Sequence, residues 1–136
     1  MPPFKIEFLD HVAIRVTDLK ASADWYEKVL GLKKYQFQEW GAFPVFLLSG
    51  KTGVALFPAH KEHPELPSTS QNVKIDHFAF NVTAEHFEKA KKHFDEIGVK
   101  YDWQDHHYFH SVYIKDPDGH TVELTTIVVD EKGFYK

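Results

Sequence analysis

The residues that could do chemistry lie far apart in the sequence but recur in a repeated pattern. His11 lies in the segment FLDHVAIRVTDL, residues 8–19, and His77 lies in KIDHFAFNVTAE, residues 74–85. In each segment a strand pattern of period two leads into Val-Thr and then into a helical pattern, and the histidine falls on the less apolar face of the strand. The two imidazoles therefore occupy equivalent positions in two repeats.

A carboxylate in the second repeat points to the same chemistry. Superimposing the last strands of the repeats, TGVALFP and HTVELTT, puts Glu123 where the first repeat has Ala55. A buried carboxylate in the middle of a strand needs a partner, and a metal ion bound also by His11 and His77 would supply one. Two imidazoles and one carboxylate leave coordination positions open for a substrate, an arrangement that suits Fe(II), Mn(II) or Zn(II). We therefore predict one divalent ion (Fe, Mn, Zn or Ni) bound by His11, His77 and Glu123.

The elements that position these residues form two copies of a βαβββ pattern. Asp18 and Thr83 predict the N-caps of two helices, which Gly31 and Gly98 end. The remaining strands are predicted at 32–39, 44–49 and 53–58 in the first copy and at 99–104, 109–115 and 120–129 in the second. We predict one α+β domain over residues 1–136, with module one at about 4–59, a linker rich in Pro and polar residues at about 60–72, and module two at about 73–129.

Composition excludes several classes of partner. The 136 residues include 43% hydrophobic and 15% aromatic side chains, which indicates a folded globule. The net charge of −4, without a basic stripe, excludes nucleic acid and anionic membranes as expected partners, and no apolar run approaches the ~20 residues of a membrane span. The absence of cysteine excludes disulfides and thiolate metal sites and fits a cytoplasmic protein. The expected partner is a small-molecule substrate.

Two long motifs resemble a known superfamily. They are DHVAIRVTDLKASADWYEKVLGLKKY and HSVYIKDPDGHTVELTT, and from about Phe8 to Thr126 the chain resembles the vicinal oxygen chelate superfamily of glyoxalase I, bleomycin-resistance proteins, fosfomycin-resistance transferases and extradiol dioxygenases. The resemblance implies that the modules join into a cupped mixed sheet, or partly open barrel, with the helices outside. It also implies a homodimer, with a site formed within or across chains. The superfamily's metal ligands fall on His11, His77 and Glu123, whereas the fourth ligand of glyoxalase I falls on Ala55.

Polar side chains beside Glu123 bear on the type of reaction. Strand alternation places Ser111 and Tyr113 on its face, and the spacing from Tyr113 to Glu123 resembles the extradiol signature, with His106 as the histidine of that signature and Gln104 as a departure from it. We expect a metal-dependent enzyme that acts on a small oxygen-rich substrate, most like a small extradiol-type dioxygenase or a glyoxalase-like lyase. Glu123, Tyr113 and His106 are the expected catalytic residues, and Ser111 and Tyr113 are expected to bind substrate.

Other functions stay open. The Ser111 and Tyr113 positions also resemble phosphonate contacts of fosfomycin-resistance transferases, but Ala13 stands where a threonine is expected and the lysine-rich potassium loop is missing, so this alternative ranks below the dioxygenase. A metal-free drug-binding protein of the bleomycin-resistance type would have no use for the His/His/Glu set. A regulatory relative with a vestigial site is a further alternative. The roles of His107 and His110 also stay open, and one sequence does not reveal the substrate.

Overall fold

The structure, a computed structural model, describes residues 2–59 and 75–135. The chain divides into two compact units between His63 and Pro64. The predicted linker at about 60–72 lies outside the described residues, so the module boundaries stay predictions. Each unit has its own four-stranded sheet.

The first unit is a βαβββ module. Its elements are β1 (His11–Val16), α1 (Leu19–Leu30), β2 (Lys33–Tyr35), a short 3-10 helix (Gln38–Trp40), β3 (Val45–Ser49) and β4 (Thr52–Pro58). The strand order is β1-β4-β3-β2. The outer strand β1 runs parallel to β4, and the other pairs are antiparallel. The first strand of the repeat therefore lies directly beside its last strand.

The second unit repeats this topology. Its elements are β5 (His77–Asn81), α2 (Ala84–Ile97), β6 (Asp102–Asp105), β7 (Phe109–Lys115), β8 (Thr121–Ile127) and a final 3-10 helix (Glu131–Gly133). The strand order is β5-β8-β7-β6, again with a parallel pair of first and last strands. The predicted α+β fold of two tandem βαβββ modules is confirmed, and the closure of the two sheets into a cup stays a prediction.

Both helices begin and end where the sequence predicts. The Asp18 carboxylate accepts a hydrogen bond from the backbone N–H of Ala21 at 3.0 Å. The Thr83 hydroxyl accepts one from the N–H of His86 at 3.2 Å. Gly31 and Gly98 follow the helices in the left-handed conformation, with φ of 66° and 73°, which glycine adopts without steric cost. No helix within the two described ranges has the length and apolar character needed to span a membrane.

Each helix packs its apolar face on its own sheet. In the first unit, α1 buries Ala23 and Tyr26 against β3 and β4. In the second unit, α2 buries Phe87 and Phe94 and packs on β8. The sheet face on the helix side is the apolar one, because Ile14 is buried while the alternating residues of β1 are exposed. The opposite face of each sheet carries one of the two histidines, His11 in the first unit and His77 in the second.

Three predicted strands were too long or displaced. The strand predicted at 32–39 stops at Tyr35, because Tyr35 pairs with Phe46 near the start of β3 and the following residues have no strand partner. The strand predicted at 99–104 lies at Asp102–Asp105. The strand predicted at 120–129 is Thr121–Ile127, whose last residue pairs with Phe109 at the start of β7. Strand pairing, which the local pattern does not show, sets all three ends.

Candidate metal-binding site

The registers of the two sheets place Ala55 and Glu123 at equivalent positions. On β4, Ala55 lies opposite Ala13 of β1. On β8, Glu123 lies opposite Ala79 of β5. Each of these β1 and β5 alanines comes two residues after a histidine, so the histidine, the alanine and the residue opposite share one face. The two repeats therefore differ at this point by a methyl group in one and a carboxylate in the other.

Glu123 contacts His77 directly. Its Oε1 lies 3.0 Å from Nε2 of His77, and the residue is only 8% exposed. The other carboxylate oxygen, Oε2, accepts a hydrogen bond from the Ser111 hydroxyl at 2.7 Å. The Ser111 hydroxyl also lies 2.9 Å from that of Thr125. Glu123 thus has one oxygen held by the strand beside it and one directed at an imidazole.

Each of the two histidine rings is oriented by the aspartate that precedes it in the sequence. Nδ1 of His77 lies 2.8 Å from Oδ2 of Asp76, and Nδ1 of His11 lies 2.8 Å from Oδ1 of Asp10. Because a carboxylate only accepts hydrogen bonds, Nδ1 is the donor in each pair, which leaves Nε2 as the ring atom that faces a ligand. Metal-bound histidines in proteins are held in this way. Sequence reasoning missed these contacts, although the Asp-His dipeptide of both repeats is a visible signal for them.

This arrangement fits a metal ion. Nε2 of a neutral His77 and the Glu123 carboxylate are both electron-pair donors, and their close approach calls for a cation or a proton between them. The 3.0 Å between them is compatible with two atoms bound at right angles about 2.1 Å from one ion, and it is also the length of a direct hydrogen bond. Among the described residues of the second unit, no third His, Asp or Glu completes a metal-binding group. His11 belongs to the first unit, and its convergence with the other two stays a prediction.

Tyr113 and His106 extend the polar face of the second unit. Nε2 of His106 lies 3.0 Å from the Tyr113 hydroxyl. The Tyr113 ring meets the His77 ring edge-on, with centroids 5.7 Å apart. Burial, together with the negative charge of Glu123, raises the pKa of the Tyr113 hydroxyl above its usual value. The phenol therefore keeps its proton to a higher pH than a free tyrosine does.

A tight turn between β6 and β7 holds His106 in place. The backbone N–H of His106 donates to the carbonyl of Phe109 at 2.8 Å. His107 adopts a left-handed backbone with φ of 65°, an uncommon conformation for a residue with a side chain. The Asp105 carboxylate accepts a hydrogen bond from its N–H at 2.9 Å. His110, beyond the turn, has Nε2 3.8 Å from the Asp105 carboxylate.

The structure therefore groups five of the six predicted site residues in the second unit. They are His77, His106, Ser111, Tyr113 and Glu123. The sixth, His11, lies in the first unit against an aromatic ring, with its centroid 5.1 Å from that of Phe46. Phe46 lies opposite Ala55, just as Tyr113 lies opposite Glu123. The same position of the two sheets thus holds a phenyl ring in one unit and a phenol in the other.

Comparison with known proteins identifies the family. Residues 8–124 match the Glyoxalase/Bleomycin resistance protein/Dioxygenase superfamily. The chain belongs to this superfamily. The resemblance to vicinal oxygen chelate proteins that the motifs indicated is therefore confirmed, over almost the whole length that the motifs indicated.

Two relatives within this superfamily are transferases. A glutathione transferase, FosA of Serratia marcescens, is 30% identical over 119 residues, which are 88% of this chain and 80% of the relative. A metallothiol transferase, FosB of Staphylococcus saprophyticus, is 28% identical over 138 residues, covering 96% of this chain and 85% of the relative. These relatives favour the transferase alternative over the dioxygenase that ranked above it on the sequence.

A solved structure shows the same superfamily fold. The crystal structure of a glyoxalase/dioxygenase from Nostoc punctiforme superimposes with a TM-score of 0.74 at 22% identity. The superposition covers 95% of this chain and 97% of that chain. The agreement concerns the fold alone.

Proposed function

We propose that the protein is a divalent-metal-dependent transferase that joins a thiol to an oxygen-bearing electrophile, in the manner of the fosfomycin-resistance transferases. The observation that supports this proposal most is the pair of His77 Nε2 and Glu123 Oε1, 3.0 Å apart, with Nδ1 of the histidine already held by Asp76. The relatedness to a glutathione transferase and a metallothiol transferase over most of the chain favours thiol transfer as the reaction.

The proposed reaction divides between the ion and the side chains. A bound divalent ion would act as a Lewis acid that polarises the oxygen of the electrophile. The thiol sulfur forms a bond to carbon, the carbon–oxygen bond breaks, and the proton that the thiol loses balances the one that the oxygen takes up. Tyr113 can give that proton, since its hydroxyl is protonated at neutral pH and its ring lies against that of His77. His106, at 3.0 Å from the hydroxyl, can restore it.

His11 is the third metal ligand in this proposal. It presents Nε2 because Asp10 holds Nδ1, as Asp76 does for His77. The ligand can come from the same chain or from a second copy in a homodimer, which is the assembly we propose. Light scattering at micromolar protein concentration measures the assembly directly. If the protein is a monomer and still binds the ion, His11 must come from the same chain as the other two ligands.

The test is a pair of assays on the full chain loaded with Mn²⁺. Glutathione and cysteine are each incubated with fosfomycin, and mass spectrometry searches for the covalent adduct, whose mass is the sum of the two reactants. We expect an adduct with the wild type and none with Glu123→Ala. Adduct formation at equal rates in both proteins would show that the reaction does not use this site.

The extradiol-type dioxygenase remains a second candidate because of one observation. The hydrogen bond between His106 and Tyr113 at 3.0 Å joins the two residues that the extradiol signature pairs. An oxygen electrode measures this activity with the Fe²⁺-loaded protein and catechol. Oxygen consumption that depends on catechol, without any thiol adduct in the first assay, would replace the transferase by the dioxygenase.

A further inference from the structure

A chain of aromatic rings leads away from His11 in the first unit. The His11 ring lies 5.1 Å from that of Phe46, and the Phe46 ring lies 5.3 Å from that of Trp40. Phe37 continues the chain, with its ring centroid 5.0 Å from Trp40, and Tyr35 stacks beyond it at 6.4 Å. We call three of these residues the aromatic wall: Phe37, Trp40 and Phe46, of which Phe46 faces His11.

Among the described residues, much of the aromatic wall is exposed to solvent. Trp40 is 46% exposed and Phe37 is 48% exposed, although both are large apolar side chains. Single exposed aromatics are ordinary on protein surfaces, whereas a contiguous group beside a polar site indicates a place where a ligand binds. Such rings bind other rings by offset or edge-on stacking.

The backbone holds Trp40 in a defined place. It ends the 3-10 helix Gln38–Trp40, whose N-terminal side is fixed by a backbone hydrogen bond from the N–H of Trp40 to the carbonyl of Phe37 at 3.0 Å. The Gln36 side chain donates to the carbonyl of Ala42 at 3.2 Å and ties the two sides of this segment together. A ring that is already ordered loses little conformational entropy when it binds a ligand.

We propose that the aromatic wall binds a planar apolar part of the substrate while the substrate's oxygens reach His11. The preferred substrate is then an oxyanion with an aromatic body, and a small hydrophilic molecule such as fosfomycin fills only the oxygen end of the site. The substitution of Ala13 for the threonine expected in fosfomycin-resistance transferases agrees with a different substrate, since it removes a hydroxyl from the same face of β1. The position of the substrate's oxygens near His11 rests on the proposed function, whereas the binding of its aromatic body to the aromatic wall does not.

The experiment compares two probes that differ only in their body, phenylphosphonate and methylphosphonate. Both are titrated into the Zn²⁺-loaded full chain while NMR follows the indole N–H signals of its three tryptophans. We expect phenylphosphonate to bind about tenfold more tightly and to shift the Trp40 signal. Trp40→Ala should lower its affinity about five- to tenfold and leave that of methylphosphonate unchanged.

Trp103 supplies a matched control. It is an exposed tryptophan of the second unit, at 48%, and its ring lies against that of His110, with centroids 5.1 Å apart. Trp103→Ala should leave both affinities unchanged. Equal affinity of the two probes, or a Trp40 signal that does not respond to phenylphosphonate, would overturn the inference. The second result would mean that protein, and not substrate, covers the wall in the assembled molecule.

A separate measurement distinguishes this inference from the proposed function. Calorimetry measures Zn²⁺ binding to the wild type and to Trp40→Ala, and we expect equal affinities. If Zn²⁺ does not bind but phenylphosphonate still shifts the Trp40 signal, the metal-dependent function is wrong and the aromatic subsite stands. If Zn²⁺ binds and Trp40→Ala weakens both probes equally, the metal site stands and the aromatic subsite is wrong.

Discussion

The two units place different side chains on the same scaffold. Around the equivalent histidines, the first unit has Ala55 and Phe46 where the second has Glu123 and Tyr113. The second unit thus has a carboxylate in place of a methyl group and a hydroxyl in place of a hydrogen, and we propose that these two groups let it bind the cation and supply the proton. The comparison teaches that the repeat keeps the position of the histidine while its neighbours determine the chemistry.

The largest effect is expected from replacing Glu123 by alanine, which is the residue that the first unit has at the equivalent position. Glu123→Ala removes a proposed ligand and should weaken Mn²⁺ binding at least about a hundredfold, since removal of mere supporting groups already costs 10- to 100-fold. Isothermal titration with Mn²⁺ measures the loss. Circular dichroism should show an intact fold, because the first unit has alanine at the equivalent position with 0% exposure. An unchanged Mn²⁺ affinity would mean that Glu123 is not a ligand.

The next effect separates proton supply from metal binding. His106→Phe removes the partner of the Tyr113 hydroxyl and should lower turnover about a hundredfold, within the usual range for a lost general acid or base. Mn²⁺ affinity should stay at the wild-type value, because His106 does not contact His77 or Glu123 through any described hydrogen bond. His107→Asn is the control in the same turn, since asparagine accepts the left-handed backbone. Equal losses in the two variants would attribute the effect to the turn instead of the ring.

A third comparison concerns the strand position beside each histidine. His11 lies opposite Gly53, whereas His77 lies opposite Thr121. A Cβ added at Gly53 would lie 2.1 Å from the carbonyl oxygen of Leu47, so Gly53→Ala should destabilise the fold by about 1–3 kcal/mol. Urea denaturation measures the free energy of unfolding. Gly133→Ala, which meets nothing within 4 Å, should be close to neutral, and equal losses would show that the close backbone approach is not the cause.

The smallest effect is a pH dependence confined to the second unit. Because the pKa of Tyr113 is raised in the folded state, the unfolded chain loses this proton first as the pH rises. Stability from Tyr113 is therefore fully present below the ordinary tyrosine pKa of about 10 and is lost as the pH rises through the higher folded value. Denaturation of the metal-free protein above pH 10 should show a shallower decline in Tyr113→Phe. An identical decline would mean that the hydroxyl is not perturbed.

The sequence predicted the repeat and most of the polar face because both follow local rules. Helix caps at Asp18 and Thr83 need only a short polar side chain at the right place. The grouping of Ser111, Tyr113 and Glu123 follows from strand alternation together with the repeat. These inferences use periodicity within one strand or between two similar segments.

What the sequence did not predict depends on contacts between elements. The aromatic wall forms because β2 ends early at Tyr35 and the chain turns through a 3-10 helix to bring Trp40 against Phe46. The strand predicted at 32–39 would have placed Phe37 and Trp40 differently. The hydrogen bond between His106 and Tyr113 likewise requires the turn at His107, whose backbone conformation no local sequence pattern predicts.

The hydrogen bond from Ser111 to Glu123 has a consequence for discrimination among the metals of a cell. Because Oε2 accepts a hydrogen bond from the Ser111 hydroxyl, Oε1 is the oxygen that the carboxylate directs at His77 and at the proposed metal position. Calcium favours six to eight oxygen ligands and often takes a carboxylate through both oxygens. The proposed site, with imidazole nitrogens and one carboxylate oxygen, would therefore disfavour this abundant ion and favour the transition metals, and Ser111 would contribute to that preference without contacting the metal.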